Sequence, residues 1–465
     1  MRLGLDRLWL FLALALPALA SLIVAMPAVD LAWQVRAGEQ ISTTGAIPAA
    51  DTFTFTAYGA AWVDQQWLAQ VVLALGHRLG GWELLAVLRA GLVATTFGLV
   101  TAAALARGAA PRTAAILALA AFVLAAPALA LRPQLFGIAL FAALLWLVAG
   151  RRRRPRALWL APLLVVAWAN VHGSVVLAPV LLGYAWLEDL AEGADHRRSL
   201  GVLVAGTIAT LVNPFGPGVW AYAIGVGTDP AITEQVAEWQ RTSPFTVPGL
   251  LFYLSAVAVL ALLAVRRGRL AWPAYVWLAA LFAVGVWTER GLAWWPLGVA
   301  MVVAGVLVPT MPAHRPRPNV LNALTVAVIG LALGLALPWW RPADPLAGRE
   351  GLLTYAPSGL AQALRERVQP GDRVFVPQTW GSWFEWAVPD ARYFVDSRIE
   401  LFPPAVWRDY GVIAAGGATT PTLLEVHDLR TVVAEPGGAL ALRLLGAGWT
   451  LVYQDAEGVL LEVPG

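Results

Sequence analysis

The sequence predicts an α-helical polytopic membrane protein of about eleven spans with a small C-terminal extracytoplasmic α/β domain. Three observations carry this. The 465 residues are 59% hydrophobic and only 13% charged, against about a quarter charged in a soluble globular chain. Long apolar runs recur through the first 340 residues. The arginines then fall in every second gap between those runs: Arg2 and Arg7; Arg107 and Arg112; Arg151 to Arg154 with Arg156; Arg197 and Arg198; Arg266, Arg267 and Arg269; Arg315 and Arg317. These are 16 of the 22 arginines before residue 341. Basic residues concentrate in short cytoplasmic loops, so this face and the N-terminus are cytoplasmic.

The runs place helices at about 8–28, 82–106, 113–131, 134–150, 158–169, 174–189, 199–212, 248–265, 270–287, 292–309 and 319–338. Arg2 and Arg7 before Leu8–Ala20 resemble a signal peptide, but the apolar run continues to Ala28. About 20 residues span a bilayer, so this reads as a retained first helix. Between 158–169 and 174–189 stands Asn170-Val171-His172-Gly173. One long tilted helix would also fit there, but the arginine alternation demands two crossings, and a broken helix needs its freed backbone groups satisfied. Two outer segments, 30–81 and 213–247, are too long for simple turns and rich in aromatic residues, which argues for function over disorder. In the first, Trp67, Leu68, Val71, Val72, Leu75 and Leu79 recur at the spacing of a helix lying in the membrane interface.

The membrane core is thus 1–340, with 22 arginines and 14 carboxylates and a net charge of +8; 341–465 carries 10 arginines and 15 carboxylates, net −5. Strand-like runs at Arg373–Val376, Tyr393–Val395, Thr431–Ala434, Leu451–Tyr453 and Val459–Val463 alternate there with helix-like stretches at Ser358–Val368 and Thr422–His427.

Composition also excludes chemistry. There is no cysteine and no lysine, hence no disulfide, thiolate nucleophile, Schiff base or phosphate-loop lysine. No GxxxxGKS or HExxH pattern is present. The pI near 9.4 comes from loop arginines and implies no nucleic-acid partner.

The outer face carries the unusual polar residues. Asp30 follows the first helix, and Asp51 and Asp64 share its loop. A carboxylate there can simply mark a helix end. Several beside a lipid-facing cavity can instead serve as a general base for an acceptor hydroxyl or bind a divalent cation, magnesium or manganese, through Asp30 and Asp51. Arg132 and Arg290 break the basic-inside trend in short outer turns. Helix-end snorkelling is the plain explanation; capture of a phosphate by the guanidinium fork is the functional one. Arg89, inside the second helix, is a functional candidate by its placement, although Glu83 lies near in sequence. Asn170, His172, Asp64, Glu238 and Trp239 complete the set as substrate-binding candidates, with the indole offered as a platform for a pyranose ring.

These segments resemble the GT-C superfamily of integral-membrane glycosyltransferases, in particular a bacterial branch. The resemblance rests on Asp30-Leu-Ala-Trp33 with Gly38, Gly45, Pro48, Asp51-Thr-Phe53, Trp62 and Gln66-Trp67-Leu68; on Arg132-Pro-Gln-Leu-Phe136, Trp168-Ala-Asn-Val-His-Gly173 and Asn213-Pro-Phe-Gly216; and on Phe394-Val-Asp396-Ser-Arg398 and Gly448-Trp449 with Val452-Tyr-Gln-Asp455. It implies transfer of a sugar from a polyprenyl-phosphate-linked donor at the outer face of the bacterial cytoplasmic membrane, to a glycan, lipid or protein of the cell envelope. Asp30 matches the catalytic base or metal ligand of the superfamily, and Asp51 a second loop carboxylate. Oligosaccharyltransferases carry Trp-Trp-Asp-Tyr-Gly in their C-terminal domain; Trp380-Gly381-Ser-Trp383 keeps Trp-Gly and lacks Asp-Tyr. A transporter or flippase of a lipid-linked substrate and a membrane scaffold are the competing classes. The C-terminal domain is expected to cover the Asp30 region, with Asp396-Ser-Arg398 in a binding crevice at a strand end.

Overall fold

The computed structural model describes residues 3–228, 237–309, 318–340 and 349–464. Arg2, Arg315 and Arg317 lie outside the described residues. The described chain divides into two compact units: a helical unit of residues 3–24, 80–228, 237–309 and 318–340, and a second unit of 25–79 and 349–464. By sequence the first outer segment, 30–81, belongs with the membrane core. Packing groups it with the C-terminal domain.

In the helical unit, helices occupy all eleven expected positions: Leu5–Ile23, the portion of Trp67–Ala106 after Gly81, Pro111–Ala125, Pro133–Gly150, Ala161–Val171, Leu177–Ala191, His196–Ala209, Val247–Val265, Trp272–Trp287, Trp294–Val306 and Val320–Leu335. Six described helices, counting Trp67–Ala106 as one, are long and apolar enough to cross a membrane. Proline supplies many starts: Pro111, Pro133, Pro162, Pro248 and Pro273 each sit in a first turn, where the missing N–H costs nothing. The first helix ends at Ile23, before the expected Ala28, because Pro27 disfavours helical backbone at Met26. Helix Gly218–Thr228 was not foreseen within the second outer segment. Arg89 is buried and donates to the carbonyls of Ser21 and Val24. It caps the exposed carbonyl end of the first helix, where a cation is favoured. An aromatic core of Phe141, Trp168, Trp277 and Trp294 fills the bundle.

The second unit holds a five-stranded mixed sheet. Strands β1 (Met26–Pro27) and β2 (Leu353–Thr354) pair with each other; β3 (Arg373–Phe375), β4 (Arg392–Tyr393), β5 (Thr431–Ala434), β6 (Thr450–Gln454) and β7 (Val459–Glu462) form the sheet in the order β4-β3-β5-β7-β6. β3 runs parallel to β4 and β5, and β7 antiparallel to β5 and β6. The outer segment extends this sheet: Phe55 N–H donates to the Tyr393 carbonyl and Tyr393 N–H to that of Phe53. It also supplies helix Ala28–Thr44, which packs along helix Gln378–Ala387. Trp33 N–H donates to Ser382 Oγ, and its indole N–H to Ser397 Oγ, each at 2.9 Å.

Gly38 shows why this packing specifies its residues. A Cβ there would stand 2.1 Å from the Gln70 carbonyl oxygen, where helix Ala28–Thr44 meets the helix that starts at Trp67. Gly38→Val is therefore expected to destabilise the second unit by about 2–3 kcal/mol, as overpacking does. Thermal unfolding checks this: a midpoint equal to wild type would show that the two helices separate freely. On the other face, Val72, Leu75 and Leu79 are exposed, the pattern expected of an interfacial helix.

Candidate functional site

The helical unit gathers most of the residues proposed to bind substrate. Arg132 stands before helix Pro133–Gly150, and Arg290 in the 3-10 turn Glu289–Ala293. Both converge on Glu238: Arg132 Nη2 donates to Oε1 at 2.8 Å and Arg290 Nε to Oε2 at 2.9 Å. Thr288 Oγ1 donates to the Glu238 carbonyl at 2.8 Å, fixing the backbone. The Arg290 guanidinium lies 4.8 Å from the centre of the Trp239 ring. Burial pushes the Glu238 carboxyl up, but the two guanidiniums outweigh it and hold it at about 2. It is ionised at neutral pH.

His172 lies within the field of both arginines. It marks the expected helix break: Ala161–Val171 ends there, and a 3-10 turn, Gly173–Val176, precedes helix Leu177–Ala191. Its Nδ1 accepts from Ser174 N–H at 3.1 Å, and Trp168 Nε1 donates to Ser174 Oγ at 3.0 Å. The freed backbone is thus satisfied by side chains, as a broken membrane helix requires. Asn170 donates to the Val166 and Val212 carbonyls, at 2.8 and 2.9 Å, which ties its helix to the turn after helix His196–Ala209.

In the second unit the three loop carboxylates have different surroundings. Asp30 is half-buried in the first turn of helix Ala28–Thr44. Asp51 is fully buried. It accepts from the backbone N–H groups of Phe53 and Thr54, from Thr54 Oγ1 at 2.6 Å, and from Arg398 Nη2 at 2.7 Å. With its oxygens engaged in this way Asp51 does not fit a cation site. Among the described residues, no group of three or more His, Asp or Glu side chains is placed to hold a metal.

Arg398 is the centre of that buried network. It also pairs with Asp396, through Nε at 2.9 Å and through Nη2, and its guanidinium lies 4.7–5.5 Å from the rings of Trp33, Phe53 and Trp62. Glu385 stands 3.8 Å away, fully buried. Burial, with the adjacent Asp396 carboxylate, pushes Glu385 well above the usual carboxylate range, so it is held as the neutral acid. The Asp396-Ser-Arg398 turn is therefore a buried lock between the outer segment and the sheet, which corrects the expectation of an open binding crevice. Trp380 and Trp383 are likewise packed inside.

Asp64 is buried, accepting at Oδ1 from Gln70 Nε2 at 2.6 Å, while Oδ2 has no hydrogen-bond donor. Burial raises its pKa to about 7, against the opposing effects of Gln70 and Arg398. A carboxyl raised on folding contributes its stability below the unfolded value near 3.8 and loses it as pH climbs to about 7, by about 1.4 kcal/mol per unit. Asp64→Asn should flatten the dependence of unfolding temperature on pH across that window and exceed wild type above pH 7. An unchanged slope would contradict this burial effect.

Sequence reading missed a second ionic network on the arginine-rich face. Arg151 forks onto Asp189 at 2.9 and 2.8 Å and reaches Glu188 at 2.7 Å; Arg107 meets the same Glu188 at 2.7 Å, and Tyr184 donates to it at 2.7 Å. The available signal was Tyr184 and Glu188 one helical turn apart, in the second helix after the arginine run Arg151–Arg154.

No family model and no curated protein matches the sequence. Solved structures do match. The chain is similar to the Archaeoglobus fulgidus oligosaccharyltransferase tethered with an acceptor peptide containing the NVT sequon, with TM-score 0.55 and 13% identity over 92% of this chain and 69% of that one. It is similar to ArnT from Cupriavidus metallidurans bound to undecaprenyl phosphate, with TM-score 0.53 and 15% identity over 97% of both chains. It is also similar to the mycobacterial arabinofuranosyltransferase AftD, with TM-score 0.56 and 16% identity over the whole of this chain and 42% of that one. The protein therefore shares its fold with these three glycosyltransferases, and six of its described helices are long and apolar enough to cross a membrane.

Proposed function

We propose that this protein is a glycosyltransferase that takes a sugar from a polyprenyl-phosphate-linked donor and passes it to an acceptor hydroxyl of the cell envelope. The observation that carries the reading is the Arg132–Glu238–Arg290 cluster, whose two guanidiniums face one carboxylate. A lipid phosphate would displace the Glu238 carboxylate and take its place on the guanidinium forks, while Trp239 offers a flat apolar face for a sugar ring. Likeness to a fold that holds undecaprenyl phosphate supports the donor class. Asp30 is proposed as the general base that takes the acceptor proton as the hydroxyl attacks the anomeric carbon; the bond to the phosphate oxygen breaks and the lipid phosphate leaves with the electron pair. Because the helix carrying Trp380 and Trp383 turns those rings inward, we favour a glycan or lipid hydroxyl over a sequon asparagine as acceptor.

Equilibrium binding of a fluorescent polyprenyl phosphate tests the phosphate assignment. Arg132→Ala should weaken binding by about 10- to 100-fold, the scale of a lost charge-assisted hydrogen bond. Glu238→Gln should preserve or tighten it, because the carboxylate competes with the ligand. If Glu238→Gln weakens binding as severely as Arg132→Ala, the cluster is a structural ion pair and the assignment fails.

A further inference from the structure

The arginine-rich face of the helical unit contains a cavity of about 300 Å³ that the proposed reaction does not use. One wall comes from the end of helix Trp67–Ala106 (Ala102, Leu105 and Ala106) and another from the end of helix Pro133–Gly150 (Trp146 and Leu147); Arg153 and Arg154 line it from the turn that follows. The arginine run is divided in its use. Arg151 and Arg152 are neutralised by Glu188, Asp189 and Glu192. Among the described residues no carboxylate pairs with Arg153 or Arg154, and both are exposed. Two uncompensated cations thus adjoin a small apolar pocket at the helix ends.

We propose that this cavity binds the headgroup of an anionic phospholipid. The phosphate would lie against Arg153 and Arg154, and the glycerol and first acyl carbons against Ala102, Leu105, Ala106 and the Trp146 indole. A free inorganic anion would satisfy the charges and leave the apolar wall wet; a zwitterionic lipid would fill the wall and bring no net charge. A phosphate carrying a hydrocarbon tail answers both, and basic pockets between membrane helices suit such headgroups. The volume lies at the lower end of the range for ligand sites, enough for a headgroup and not for a whole lipid.

Native mass spectrometry of the detergent-solubilised protein tests this with phosphatidylglycerol and phosphatidylcholine of matched chains. Wild type should retain one phosphatidylglycerol in preference to phosphatidylcholine, and millimolar inorganic phosphate should not displace it. Arg153→Gln with Arg154→Gln should weaken that lipid at least tenfold; both side chains are exposed, so the core is untouched. Ala102→Phe, which fills the pocket and keeps both arginines, should weaken it as well. Equal retention of the two lipids, displacement by inorganic phosphate, or full binding by either variant would overturn the proposal, the last by showing only diffuse attraction to a basic surface.

Discussion

Arg398→Met is expected to cost the second unit about 3–5 kcal/mol, the largest stability loss of any single substitution considered for this chain. The guanidinium is fully buried and neutralises Asp51 and Asp396, which are themselves fully buried. Removing one partner of such a network leaves uncompensated charge in the interior, which costs far more than the intact pair contributes. Methionine keeps the apolar stem among Trp33, Phe53 and Trp62, so the loss isolates the charge. The consequence extends to function, because the lock fastens the segment that begins with Asp30. Limited proteolysis and thermal unfolding read the outcome together: residues 25–79 should become cleavable at temperatures where wild type resists. A variant melting within a degree of wild type would mean that the aromatic packing alone holds the unit.

Asp30→Asn carries the largest expected effect on catalysis. If this carboxylate accepts the acceptor proton, turnover should fall by about 10²- to 10⁴-fold, while affinity for polyprenyl phosphate stays within twofold. Asparagine keeps the size and helix position of Asp30, so a collapse of donor binding would instead report misfolding. Asp51→Asn offers the contrast. Its carboxylate is engaged by Arg398 and Thr54, so its loss should appear first as a lower unfolding temperature.

How much of this was legible in the sequence differs by interaction range. The helices were readable because apolar runs and alternating arginines are local signals, and the sheet strands because their β-branched and aromatic runs are short and bounded. The meeting of Arg132, Arg290 and Glu238 was foreseeable to the extent that all three sit in outer connections of the same helical unit. The lock was not. Asp51 and Arg398 are 347 positions apart, and neither periodicity nor spacing encodes that pairing. Asp51 looked like a second catalytic carboxylate because loop position suggests exposure, whereas the loop is folded into the sheet edge beside Tyr393. Arg89 likewise looked functional; it donates to the backbone carbonyls of Ser21 and Val24, which no residue type announces. Helix Ala28–Thr44 was hidden because Gln34 and Gly38 interrupt the apolar positions of its buried face.

Cleavage of a sugar from a lipid phosphate is the reaction proposed for this protein. It is tested most directly with the purified protein in vesicles containing a polyprenyl-phosphate sugar labelled in the sugar and an envelope glycan extract outside. Free polyprenyl phosphate should accumulate in step with labelled acceptor, and Asp30→Asn should slow both alike, by about 10²- to 10⁴-fold. If labelled lipid crosses the bilayer intact, with no polyprenyl phosphate released, the protein is a transporter of its substrate and not a transferase.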